Sequence, residues 1–394
     1  MIARTYPRAS VVLFAAALVS AAALPLQAQH EGHQMPPAET GATAWTWTVD
    51  ANAFFGFNKQ DRKFRDFSAW ESQNWVMLSG ARGVGGGVFR ATTMLSFEPF
   101  TIPDLGSPQV FQTGETFQNA PLIDYQHPHD LFMGIGTDYR RAAGRITLLA
   151  GLDVVGSPSF GPPVFMHRPS AAENPQVPLS HHHMDSTHIT PGVLRGGIEA
   201  GAFRVEASWF RGREPDENRT DLDLGALDSA AGRLSWNHGG WSAQVSAAHL
   251  KQPERLSPYD SNQYSASFGY TRGDDSRRFA WLAAFGQKRE IHGTFDAYLL
   301  EATLNLTRPD ALYVRGEIVD KDILDAGFHP NFVHLHRQSR VGALTIGYVR
   351  DLLRTRIGRV GAGLDATGYI VPANLEENYG SPRSYHFFLR YRAR

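Results

Sequence analysis

From Trp45 to the C-terminus, apolar and polar residues alternate in short runs separated by turn residues. Phe203, Val205, Ala207 and Trp209 share one parity, and Arg204, Glu206 and Ser208 the other. Tyr264, Ala266, Phe268 and Tyr270 alternate with Ser265, Ser267 and Gly269. Tyr298, Leu300, Ala302, Leu304 and Leu306 alternate with Leu299, Glu301, Thr303 and Asn305, and Leu312, Val314, Gly316 and Ile318 with Tyr313, Arg315 and Glu317. Successive side chains of a strand point to opposite faces, so each run has one greasy and one polar face. A soluble sandwich shares this period. Three features favour a sheet closed in lipid: Arg and Glu sit mid-strand on the polar faces, Trp, Tyr or Phe often end the apolar faces, and the runs reach the ~9–11 tilted residues that span a bilayer. The expected fold is an all-β transmembrane antiparallel up-and-down barrel.

Sixteen strands are expected, within a range of fourteen to eighteen. Their centres fall near Ala51, Val76, Thr93, Ile135, Leu148, Gly196, Val205, Leu234, Val245, Phe268, Ala283, Ala302, Val314, Leu344, Leu364 and Phe388. The connections sort by parity. Short ones fall at 81–86, 141–144, 201–202, 237–240, 272–277, 307–310 and 351–355; the alternate ones, mostly longer, at 58–69, 98–130, 156–189, 213–228, 251–262, 290–293, 320–338 and 371–382. Short periplasmic turns and long external loops have this arrangement, and an even strand number puts both ends in the periplasm. Residues 73–80 do not show which face is apolar, and 98–130 has room for a further strand or an inserted segment.

Arg4 and Arg8, the apolar run 11–24 and Leu26-Gln27-Ala28 read as a secretory signal over residues 1–28; an uncleaved anchor is the alternative. Residues 29–44 read as a flexible periplasmic linker carrying His30, His33 and Met35, and 45–394 as the barrel. The chain has no cysteine, so an exported fold must draw its stability from elsewhere, as a barrel without edges does. A formal net charge of −1 argues against a nucleic-acid partner. Two glycosylation triplets begin at Asn218 and Asn305.

The hairpin rhythm over 45–394 resembles that of Gram-negative outer-membrane barrels of the porin-like class. The last strand, with Tyr385, Phe387, Leu389 and Tyr391 on one face, resembles their C-terminal insertion signal, although the chain continues to Arg394. The resemblance implies outer-membrane lipid as surroundings and a homotrimer by analogy with porins of this size, and it carries no substrate; the expected function is a porin-like barrel that passes or captures small solutes or metal ions.

Histidine is the unusual residue. Ten of the sixteen fall on long connections: His127, His129, His167, His181, His182, His183, His188, His329, His334 and His336. Imidazole suits copper and zinc, with carboxylates extending the set. The candidate ligands are His127, His129, Asp130, His181, His182, His183, Asp185, His188, His334 and His336, at the extracellular mouth. His127 and His129, like His334 and His336, are two apart, so in extended backbone each pair presents both rings to one ion. Polar loop residues on a wet surface, or groups folding a loop inward, are the alternative. An enzyme reading sets Ser186 beside His183, Asp185 and His188 as a lipid hydrolase, or makes the cluster a metal-dependent site. On the strands, Arg195, Glu199, Arg204, Glu206, Arg233, Glu301, Arg315, Glu317, Arg359 and Asp365 are expected to line a pore, or to brace its wall as salt bridges.

Overall fold

The computed structural model describes residues 43–273, 277–306, 309–324 and 337–393. The leader, most of the linker, His334 and His336 lie outside the described residues.

The wall begins with β1 (Thr46–Arg62), β2 (Arg65–Glu71), β3 (Asn74–Val84) and β4 (Gly87–Leu95). A separate hairpin follows, β5 (Ser107–Phe117) and β6 (Ala120–Gln126). The wall resumes with β7 (Phe132–Ala143), β8 (Ile146–Gly156), β9 (Thr190–Ala200), β10 (Phe203–Phe210), β11 (Ser229–His238), β12 (Trp241–Leu250) and β13 (Ser261–Arg272). It ends with β14 (Phe279–Glu290), β15 (Gly293–Asn305), β16 (Asp310–Lys321), β17 (Ser339–Arg354), β18 (Gly358–Ile370) and β19 (Arg383–Ala393). Neighbours in the wall pair antiparallel, and β1 closes the ring on β19 from Asn52↔Arg392 to Asp61↔Arg383. Both β2 and β3 pair with β1, on successive stretches of it, so they fill one wall position and the barrel has sixteen. Every centre read from the sequence falls in a different wall position.

The two-residue period sorts the faces. Val205, Leu300, Ile346 and Leu364 are each more than half exposed on the outside. Aromatic groups gather at both rims: Trp241, Phe268, Tyr270 and Trp281 towards the short turns, Phe55, Phe57 and Trp70 towards the loops. An apolar belt of this extent on a closed barrel suits acyl chains and no aqueous surface. At the short-turn end, Gly85-Gly86 and Gly239-Gly240 have positive φ at both central positions, the turn whose twist matches paired strands.

Two local expectations need correction, and one open alternative is decided. Residues 58–69 form no loop: β1 runs to Arg62, turns at Lys63-Phe64 and returns as β2. Polar residues occupy both faces there, which hid the strand. The 81–86 turn shrinks to two glycines because β3 continues to Val84. The segment 98–130 is an insertion, and it enters the barrel. Asn58 of β1 donates to the Pro108 carbonyl (2.7 Å), Gln60 accepts from the Val110 N–H (3.1 Å), and Lys321 on β16 donates to Gln112 (2.9 Å).

The connection 157–189 also turns inward. Arg168 pairs with Glu301 of β15 (2.7 Å), Ser180 donates through its N–H and hydroxyl to Glu317 of β16 (3.0 and 2.8 Å), and Arg315 donates to the Gln176 carbonyl (2.7 Å). Glu173 receives Arg392 (2.9 Å) and Arg390 from β19. The expected pore-lining set therefore divides. Glu301, Arg315 and Glu317 are buried beneath an inserted loop, because that loop carries their hydrogen-bond partners. Asp365 is buried between His386 and Tyr313, both at 2.7 Å, and Arg359 lies 3.8 Å from Asp351. Arg195, Glu199, Arg204, Glu206 and Arg233 face the part of the lumen left open, paired as Arg195–Asp153, Arg204–Glu199 and Arg233–Glu206 (2.6–2.9 Å).

Candidate metal centre

The inserted hairpin ends at Gln126, where Pro128 cannot continue a ladder, and residues 127–130 run as irregular backbone into β7. The period of two no longer applies there. His127 and His129 consequently face different neighbours, with ring centres 6.5 Å apart, instead of sharing one ion as the spacing suggested.

His129 is fixed by Glu98 at the start of a short helix (Glu98–Thr101), whose carboxylate accepts from its N–H (2.9 Å) and lies 2.7 Å from its Nδ1. His181 opens a second short helix (His181–Met184), and its Nδ1 lies 2.7 Å from Asp185. The other Asp185 oxygen takes Arg168 at 2.5 Å. His188, on a 3-10 turn (Ser186–Ile189), points its Nδ1 at the Asp185 carbonyl, 3.1 Å away.

In all three rings Nδ1 faces an oxygen that can only accept. Each Nδ1 therefore carries a proton, and in the neutral imidazole Nε2 then presents a lone pair. His129, His181 and His188 can offer ligand atoms that all lie within 4.8 Å of one another, and all three are buried. Nε2 of His129 and of His188 are buried without a hydrogen-bond partner. Leaving such a group unsatisfied costs about 1–3 kcal/mol, which coordination to a cation would recover. Imidazoles held at one nitrogen by a carboxylate or carbonyl and free at the other form the usual arrangement around a bound transition metal. Three imidazole nitrogens suit zinc or copper and do not suit the hard cations, which take oxygen. Burial, then His181 and His129, hold the His188 pKa well below its ordinary value, which keeps the lone pair available. Burial opposes charge on Asp185, but Arg168 and His181 outweigh it and hold the carboxyl below its usual range.

The open space of the lumen is a cavity of about 350 Å³ that meets this cluster at His188 and Thr187 and reaches Arg204, Arg233 and Asn237 towards the short-turn end.

The remaining expected ligands have other places. His127 and His182 belong to a neighbouring group with Glu115. His183 is buried outside both groups. Asp130 pairs with Arg219 (3.3 Å), and burial still lifts its pKa to about 7. Asp185 orients His181 and anchors Arg168, both of which occupy its carboxylate. The site is also not an open mouth: the loops fold inward and bury the rings. Ser186 makes no hydrogen bond to an imidazole among the described residues. Glu98 and Arg168 were not foreseen, since no local motif marks either.

No protein-family model and no curated protein matches the sequence. Among solved structures, OmpF of Salmonella typhi in complex with daunomycin aligns with 91% of this chain and all of its own, at a TM-score of 0.54 and 9% identity. An anion-selective porin from Comamonas acidovorans aligns with 89% of this chain and all of its own, at a TM-score of 0.49 and 13% identity. The likeness to OmpF is one of fold. It defines a closed antiparallel β-barrel of porin architecture, here with an apolar outer belt.

Proposed function

We propose that this barrel captures a transition-metal ion, copper or zinc, inside its lumen on His129, His181 and His188. The observations that carry the reading are that every Nδ1 is held by an oxygen, that Nε2 of His129 and of His188 is buried with nothing to bond, and that the three rings can offer ligand atoms within 4.8 Å of one another. Capture fits the lumen better than free diffusion of solutes. The β5–β6 hairpin and the 157–189 loop occupy its long-loop end, and the cavity beyond them offers a route from His188 towards the periplasmic rim.

The test is metal titration of the refolded, detergent-solubilised barrel with Zn²⁺ and, separately, Cu²⁺. Saturable binding that a His129→Ala/His188→Ala double variant loses, while keeping its heat-modifiable migration as a folded barrel, supports capture. Equal metal content in the folded variant and the parent removes the basis of the reading.

A further inference from the structure

A second group of side chains lies against the tri-histidine cluster. His127 directs Nδ1 at the Pro128 carbonyl (2.9 Å), so this nitrogen carries the proton and Nε2 holds the lone pair. That lone pair faces Glu115 Oε1 at 3.2 Å. Two acceptors at this separation repel unless a proton or a cation lies between them. Metal–ligand bonds of ~2.0–2.1 Å in a tetrahedron give a ligand–ligand edge of ~3.3 Å, close to the observed spacing. His182 offers a third ligand atom, and all three lie within 4.8 Å of one another. Its Nδ1 is buried with no hydrogen-bond partner and lies 3.9 Å from Glu214 Oε1. Arg219 supplies positive charge 3.5 Å from Glu115, but it also serves Asp130 at 3.3 Å.

We propose that His127, His182 and Glu115, with Glu214 beside them, form a second transition-metal centre stacked on the outer side of the tri-histidine cluster. The outward placement follows from the hairpin. Its exposed tip, Gln118-Asn119, is bonded to Glu217 of the 211–228 loop, three and four residues beyond Glu115, whereas His188 of the first cluster opens on the inner cavity. The two centres interlock in sequence. His127 and His129 contribute one ring to each, as do His182 and His181, with ring centres 6.5 and 5.6 Å apart. The mixed nitrogen and oxygen set is harder than three imidazoles and favours zinc over cuprous copper. An ion entering from the long-loop end meets the carboxylate-bearing centre first and the all-nitrogen centre next. This inference rests on the reading of the lumen as a metal-handling space.

The experiment is a metal count on the folded full barrel. Zn²⁺ is added to saturation, excess is removed by gel filtration, and zinc per chain is measured by inductively coupled plasma mass spectrometry. The parent should hold two ions. Glu115→Gln, which keeps size and removes the anionic ligand, should reduce the count to one, as should His127→Ala. His129→Ala/His188→Ala should also leave one, and combining it with Glu115→Gln should leave none. A parent holding one ion that Glu115→Gln retains and His129→Ala/His188→Ala loses overturns the second centre and leaves the proposed function standing. One ion lost only with Glu115→Gln supports the second centre and removes the first. A count of zero in the folded parent overturns both. Should His127→Ala fail to fold, the near-isosteric Glu115→Gln carries the decision.

Discussion

At the scale of single residues, the rings depend on partners far away in sequence. Glu98 precedes His129 by 31 positions, and it alone sets the proton on Nδ1 and aims Nε2. Removing such an orienting group commonly weakens metal affinity 10–100-fold. Glu98→Ala is therefore expected to lower zinc affinity by about that factor, read by competition with a chromophoric chelator, while Thr220→Ala on the exposed outer loop leaves it unchanged. Acid should act on the same atoms. Burial holds His188 well below the ordinary imidazole value, so protons displace metal from it only in solution more acidic than that value. Bound zinc should stay constant between pH 8 and 7 and be released on further acidification; release on raising the pH from 7 would contradict this. The histidines were legible in the sequence because they cluster. Glu98, Glu115 and Arg168 were not, because a carboxylate or guanidinium in a polar loop carries no local mark of its eventual partner.

At the scale of elements, the wall strands announce themselves by their period, and the long connections by their length. The direction the connections take is invisible in both. Wall charges at 301, 315 and 317 read equally as pore lining or as anchors, and only the bonds to Arg168, Gln176 and Ser180 decide for anchors. The hairpin β5–β6 was obscured for a similar reason: residues 107–113 are buried on both faces, against the wall and against the second inserted loop, so no alternation survives. The anchors make the loop's position testable. Arg168 is buried between Asp185 and Glu301, and removing one partner of a buried pair costs roughly 3–5 kcal/mol. Glu301→Ala/Glu317→Ala should release the 157–189 loop from β15 and β16. Two effects should appear together: larger single-channel conductance in planar bilayers than the parent shows, and loss of zinc from the centre built on His181 and His188. A variant with parental conductance and full zinc content would show that these carboxylates do not hold the loop.

At the scale of the whole molecule, the period of two marks most wall positions because lipid and lumen impose opposite demands on neighbouring residues. Leu300 and Glu301 make the comparison directly. They are adjacent in β15; the first is 57% exposed on the outer face and the second 1% exposed under the inserted loop. Leu300→Arg places a charge in the hydrocarbon belt and should cost ~2–4 kcal/mol near the bilayer midplane. It leaves the lumen untouched, so zinc content per folded chain should stay at the parental value. Glu301→Ala should act in the opposite sense, disturbing metal and conductance while the outer belt is unchanged. Urea unfolding in phospholipid bilayers, with zinc content measured on the folded fraction, separates the two. If Leu300→Arg proves neutral in bilayers and destabilising only in detergent-free water, the outer face is no lipid belt, and the barrel's place in the membrane must be given up.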